Sequence, residues 1–354
     1  MPPATTRPAP TPKPAVAALH PYTPGEQPRG AVVKLNTNEN PHPPSPAVAS
    51  ALAALRPEDA RKYPDPTCTA LRAAIAEDLA VDPAQVIVTN GSDEALRLAF
   101  EAYADAGDTA AWLWPTYSLY PVFAAKGAAK VSQLPFGGSV SQEDALATAP
   151  PTARLLCVAN PNPPLGRAVD VDALRAATDR LPGALVVSDE AYVAYGGESA
   201  LRLVHEGVPN VLVTRSFSKS HALAGMRVGF AVGAPEVVRA LNAIRDSYNV
   251  SAANQAAALA AWRDKEWLDD VVSKVKATRG RALEDLRARG FAVEPSDGNF
   301  LFARRADAAS LYRRLRDAGI YVRWFDMDGL RDGLRITIGT DEQMAALMDA
   351  LDEA

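Results

Sequence analysis

Between residues 86 and 233 the chain alternates short β-branched apolar runs with amphipathic stretches, and this alternation restricts the fold more than any other feature. VIVT (86–89), TAAWLW (109–114), LLCVAN (155–160), ALVVSD (184–189), VLVTRS (211–216) and VGFAVG (228–233) are continuous apolar runs. A strand that is apolar on both faces is covered on both faces, which is the pattern of a mostly parallel sheet flanked by helices. The intervening SDEALRLAFEAYA (92–104), YSLYPVFAAKG (117–127) and VDALRAATD (171–179) supply helical periodicity. The expected fold class is therefore α/β.

The pattern changes near residue 235. Long Ala- and Arg-rich helical stretches, 236–247, 252–262 and 266–290, precede the strand-like FAVEPS (291–296), NFLFARR (299–305), YVRWF (321–325) and LRITIG (334–339), and a final helix. We expect a smaller α+β domain from residues 31–45 plus 246–354, packed beside a large domain of residues 46–245. Residues 1–30 read as an N-terminal arm whose prolines at 2, 3, 8, 10, 12 and 14 oppose regular structure. It lacks the apolar stretch of a secretory signal.

Composition excludes several functions. Lys plus Arg number 37 and Asp plus Glu 42, a net charge of −5 without a basic block, so binding to a nucleic-acid backbone is not expected. No run has the length and apolarity of a membrane span. Cys68 and Cys157 are the only cysteines and show no metal-ligand spacing. Cys157, inside LLCVA, reads as a small packing residue. The four histidines also lack ligand spacing, so no metal is expected, and a reducing cytoplasm is the expected compartment.

The chemistry is concentrated at strand ends. Asp189 terminates ALVVSD, where a carboxylate would be buried unless it met a positive group. Lys219 lies among hydroxyls in SFSKSHALAGMR (216–227), with Arg227 eight residues on. A lysine amine must be neutral to attack an aldehyde, and desolvation beside a second cation favours that form. The turn Gly91-Ser92-Asp93 opens a helix whose backbone N–H groups suit a phosphate, although Ser, Asp and Glu also suit any helix start. Together these residues read as a site for pyridoxal phosphate: Lys219 for its aldehyde, Asp189 for its ring nitrogen, and Arg227, Ser216 and Ser218 for its phosphate. Tyr117, after Trp114-Pro115, suits stacking on the ring and equally suits an ordinary core. GxGxxG and GxxxxGK[ST] are both absent, which counts against nicotinamide, flavin and P-loop nucleotide chemistry.

With these pieces in place, the chain resembles the fold-type-I pyridoxal-phosphate-dependent aminotransferases, and most closely their histidinol-phosphate aminotransferase branch. PYTPGEQP, KLNTNENPHPPSP, RKYPDP, TNGSDEALRLAF, PTYSLY, VVSDEAY, SFSKSHALAGMRVGF, SYNVS, GNFLF and LRITIGT occur in the family's order. The resemblance implies that Lys219 binds the cofactor covalently and later moves a proton, that Asp189 pairs with the ring nitrogen and that Tyr192 hydrogen-bonds O3′. It implies stacking by Tyr117 and a phosphate held by Ser92, Asp93, Ser216, Ser218 and Arg227. Tyr63 would reach the phosphate from a second subunit, making a homodimer the expected unit. Tyr22, Asn38, Arg323 and Arg335 match positions lining the family's substrate pocket.

One departure stands out. The family's NPNNPTG reads NPNPPLG (160–166) here, with Pro163 at the asparagine that donates to O3′. Either Asn162 is re-aimed by the proline-rich turn, through a cis Asn162–Pro163 bond, or Tyr192 serves O3′ alone. The expected activity is transfer of an amino group from histidinol phosphate or an aromatic or related amine to 2-oxoglutarate. The alternatives are decarboxylation of an O-phospho amino acid and a catalytically idle binding protein with the same fold.

Overall fold

The computed structural model describes residues 10–19 and 25–353. After a short strand β1 (Val33–Lys34), seven strands form one sheet: β2 (Val86–Thr89), β3 (Thr109–Trp114), β4 (Lys130–Pro135), β5 (Ala153–Ala159), β6 (Leu185–Asp189), β7 (Val211–Ser216) and β8 (Gly229–Gly233). Their order is β2-β8-β7-β6-β5-β3-β4. Every pairing is parallel except those of β8, which runs antiparallel to both β2 and β7.

The continuous apolarity of these strands has a simple cause. Val86 and Val88 enter one core and Ile87 the other; Leu156 and Val158 enter the first while Leu155 and Cys157 enter the second. The same division holds for Val186 against Leu185 and Val187, and for Val211 and Val213 against Leu212. Both faces are helix-covered, so alternation of apolar with polar residues is not required. Cys157 is fully buried in this packing, and burial pushes its thiol well above the ordinary range, which leaves it an inert core residue.

Strand β4 has no counterpart among the expected strands. It is the sheet's edge, and only Leu134 of its six residues is buried, so its sequence lacks an apolar signal.

A second sheet, of order β12-β13-β10-β9, is built from β9 (Ala292–Val293), β10 (Phe300–Arg304), β12 (Arg323–Trp324) and β13 (Gly333–Thr337). The segment read as one strand over YVRWF is two: β11 (Ile320–Tyr321) pairs parallel with β1, and β12 pairs antiparallel with β13. This part has its own core, in which Val275, Ala282 and Leu286 of the helix Lys265–Ala288 meet Phe300, Leu301, Leu334 and Ile336. The preceding helix, Ala252–Arg263, instead contributes Ala257, Ala258, Ala261 and Trp262 to the first core. The change of core therefore falls near residue 264, later than the boundary at 246 drawn from sequence pattern. No helix among the described residues is long and apolar enough to cross a membrane.

Candidate active site

In parallel sheets ligands dock at the carboxyl edge of the strands, and the register brings the expected chemistry there. Ala159 at the end of β5 lies opposite Asp189, Asp189 opposite Thr214, and Ser216 at the end of β7 opposite Gly229, whose other neighbour is Thr89. Around this edge is a cavity of about 250 Å³ lined by Ser92, Asp93, Tyr117, Asp189, Tyr192, Ser216, Ser218, Lys219 and Arg227, together with Thr37 and Glu39.

Asp189 is the most constrained of these groups. Tyr120 donates to its Oδ2 at 2.9 Å and Thr214 to its Oδ1 at 3.1 Å. Burial pushes its carboxyl up to about 6, despite the opposing effect of the two hydroxyl bonds. Neither orienting residue was singled out from sequence, although Tyr120 closes PTYSLY and Thr214 lies in VLVTRS.

The turn that opens the helix Ser92–Tyr103 and Arg227 form another part of the cavity's surroundings. Gly91 adopts φ 77° and caps the helix Ser92–Tyr103. A Cβ there would stand 2.7 Å from Arg227 Nη2, so only glycine lets the guanidinium lie against the turn. Arg227 donates to Asp93 Oδ2 at 3.1 Å and to Ser218 Oγ at 3.2 Å, while Ser218 N–H donates to Ser216 Oγ at 3.1 Å. Tyr117 donates to Asp93 Oδ1 at 2.9 Å.

Lys219 Nζ donates to the Thr37 carbonyl at 3.1 Å and lies 5.6 Å from the Tyr192 ring centroid. Tyr192 accepts from Asn38 Nδ2 at 3.0 Å, which leaves its own hydroxyl proton available to a ligand. Among the described residues Lys219 is the only lysine lining either this cavity or an adjoining one of about 640 Å³, and the two cavities share Thr37, Tyr117, Pro163, Tyr192 and Lys219. The larger cavity is lined by Asn38, Arg323 and Arg335. The two arginines are cross-strand partners on β12 and β13, and both guanidinium groups lie over Phe325, at 5.4 and 5.6 Å. Arg335 also donates to the Asn36 carbonyl at 2.8 Å.

Two expected residues stand elsewhere, and a third is not among the described ones. Tyr22 lies outside the described residues. Tyr63 lines neither cavity; it is 82% exposed and stacks on Tyr248 at 4.4 Å. Asn162 is fully buried, with Nδ2 donating to the Pro115 carbonyl at 2.9 Å and Oδ1 accepting from Thr116 at 2.6 Å. It lines neither cavity, and its amide is bonded on both sides within the loop. The cis bonds of this loop are Asn160–Pro161 and Pro163–Pro164, not Asn162–Pro163.

The donor set fits pyridoxal phosphate: a buried carboxylate suited to a cationic ring nitrogen, a single amine, and an arginine beside a helix-opening turn. The profile of the family described as Aminotransferase class I and II matches residues 31–351. The chain belongs to this family. It is 42% identical over 349 residues to a histidinol-phosphate aminotransferase of Chromohalobacter salexigens, covering 96% of this chain and 97% of that one. It is 44% identical to histidinol-phosphate aminotransferase 1 of Bradyrhizobium diazoefficiens, covering 96% and 98%. Among solved structures, the histidinol-phosphate aminotransferase of Sinorhizobium meliloti in complex with pyridoxal-5′-phosphate superposes with a TM-score of 0.88 at 28% identity, covering 96% of each chain. This aminotransferase is thus a fold-type-I, pyridoxal-phosphate-dependent enzyme of the histidinol-phosphate aminotransferase branch.

Proposed function

We propose that the enzyme moves the amino group of histidinol phosphate to 2-oxoglutarate, with aromatic amino acids as secondary donors, in a ping-pong sequence. The observation that carries this reading is the pairing of Arg323 and Arg335 over Phe325 in a cavity that reaches Lys219 and has no carboxylate among its described lining residues. Two guanidinium forks suit a phosphate monoester on the donor and a carboxylate on the acceptor. Trp114, Pro121, Val122, Met327 and Leu330 give the rest of the cavity an apolar wall for an uncharged ring. The histidinol-phosphate names of the relatives support the same donor.

Bound pyridoxal phosphate supplies an aldehyde for capturing amines and a ring that withdraws electrons. In our reading Lys219 Nζ is its attachment point and then the base that takes and returns the proton at the donor's Cα. Asp189, fixed by Tyr120 and Thr214, keeps the ring nitrogen protonated. Tyr192 is the donor to O3′, since Asn162 is committed to Thr116 and Pro115. Gly91, Ser92, Asp93, Ser216, Ser218 and Arg227 seat the phosphate, and Tyr117 faces the ring. Asn38, Arg323 and Arg335 orient the substrate. We place Tyr63 in the site of a second subunit, because its exposed ring is presented outward; the active unit is then a homodimer. Two buried free cysteines suit a reducing cytoplasm.

The test is a donor screen with 2-oxoglutarate, using histidinol phosphate, Phe, Tyr, Trp and phosphothreonine. Glutamate formation with the highest kcat/KM for histidinol phosphate is expected. Arg335→Leu should cost about 2–5 kcal/mol in that kcat/KM. Carbon dioxide release from phosphothreonine without glutamate would instead select the decarboxylase reading, and no turnover with any donor would select an idle binding protein.

A further inference from the structure

We propose that Asn40 is a positioning residue for Lys219, an inference that rests on reading Lys219 as the cofactor's attachment point. The backbone through Lys219 is a tight turn. Ala222 N–H donates to the Lys219 carbonyl at 3.3 Å, Leu223 N–H to the Phe217 carbonyl at 3.0 Å, and Ala222 takes φ 56°. A left-handed residue there ends any helical ladder, so the Ser220 carbonyl, and the second lone pair of the Lys219 carbonyl, need partners from elsewhere.

Asn40 supplies them. Its Nδ2 donates to the Lys219 carbonyl at 3.1 Å and to the Ser220 carbonyl at 3.1 Å. Its Oδ1 accepts from His42 N–H at 3.0 Å. These three contacts fix the orientation of the amide: a flip would set its oxygen against two carbonyl oxygens and its NH₂ against an N–H.

The turn that carries Asn40 is itself anchored to the second sheet. Asn38 N–H donates to Thr337 Oγ1 at 2.9 Å, Thr337 Oγ1 donates to Asn38 Oδ1 at 3.0 Å, and Asn299 Nδ2 donates to the Asn38 carbonyl at 3.1 Å. One residue earlier, the Thr37 carbonyl receives Lys219 Nζ. A single anchored turn therefore holds both the root and the tip of the lysine. On the far side, His221 is buried and stacks on Trp262 at 5.7 Å. A lysine arm has many rotamers, and placing its nitrogen against a reacting atom depends on a fixed root.

The experiment compares wild type with Asn40→Ala and Asn40→Asp, using cofactor-free and cofactor-loaded protein. Three quantities are read: the rate at which cofactor-free protein captures pyridoxal phosphate, hydrogen exchange in the 216–223 peptide of cofactor-free protein, and kcat with KM. Asn40→Ala should slow capture and lower kcat about ten- to a hundredfold, with KM for the donor within about twofold and faster exchange confined to 216–223. Asn40→Asp, which keeps the shape but turns an oxygen toward two carbonyls, should do at least as much. Should the alanine variant fail to fold, Asn40→Ser, with one hydroxyl donor, is expected to show the same pattern more weakly. Capture and kcat within twofold of wild type in a folded variant, or a loss confined to KM, would overturn the proposal. Failure of the parent reading is seen separately, as wild-type protein that forms no reducible adduct at Lys219.

Discussion

Tyr120 and Asp189, 69 residues apart, meet in the core through a hydroxyl-to-carboxylate bond of 2.9 Å. The bond fixes the acid's direction without neutralising it, and burial raises the carboxyl from its ordinary 3.8 to about 6. Between these two values the folded chain holds a proton that the unfolded chain releases. Stability of the cofactor-free protein contributed by this group thus falls as pH rises from about 4 to about 6. Above that window the ionised carboxylate is buried with two hydroxyl donors among the described residues, and in the proposed site a protonated ring nitrogen would supply the missing cation.

A pH dependence of cofactor binding follows. Below about pH 6 the ring nitrogen meets an acid that must first lose its proton, at about 1.4 kcal/mol per pH unit. Thermal melts with and without pyridoxal phosphate should show a larger cofactor-induced shift at pH 7.5 than at pH 5. In Asp189→Asn that increment between the two pH values should disappear and the cofactor should bind more weakly at both.

Gly91 carries a second prediction. Its φ of 77° and the 2.7 Å that a Cβ would leave to Arg227 Nη2 make Gly91→Ala strained twice over. The backbone cost alone is about 1–3 kcal/mol, and Arg227 must withdraw from the turn. Denaturant unfolding should show that loss, and equilibrium titration should show weaker pyridoxal phosphate binding, with pyridoxal lacking the phosphate affected less.

The outward-facing Tyr63 predicts complementation. On the proposed dimer, the Tyr63→Ala and Lys219→Ala proteins should each be impaired, the second inactive. When the two are unfolded together and refolded, mixed dimers contain one site with both Lys219 and Tyr63 of the partner subunit. Activity above the sum of the separate variants is expected; its absence, with mixed dimers demonstrated by mass, would place Tyr63 outside the site.

How much of this was readable from the chain depends on where each contact is made. The six apolar strands were legible because burial on both faces leaves a continuous run; Asp189 stood out because it ends such a run, and Lys219 because it is a lone amine among hydroxyls in SFSKSHALAGMR. Edge strand β4 was not, since only Leu134 of its six residues is buried. The division of 320–324 between two sheets was hidden because both strands are only two residues long. The direction of Asn162 was not legible, because it is set by bonds to Thr116 and Pro115, 46 and 47 residues upstream, a relation that spacing within NPNPPLG cannot carry. Tyr120, Thr214 and Asn40 lay in quoted motifs, yet their roles required the sheet register and the turn at Ala222.

The central claim is that one amine, Lys219 Nζ, holds the cofactor. Purified protein should be incubated with pyridoxal phosphate, reduced with borohydride, digested and mapped by mass spectrometry, with Lys219→Ala in parallel. A stoichiometric pyridoxyl adduct on the peptide containing Lys219, absent from a variant that remains folded, is the predicted result. An unmodified Lys219, or an equal adduct on another lysine, would contradict the account.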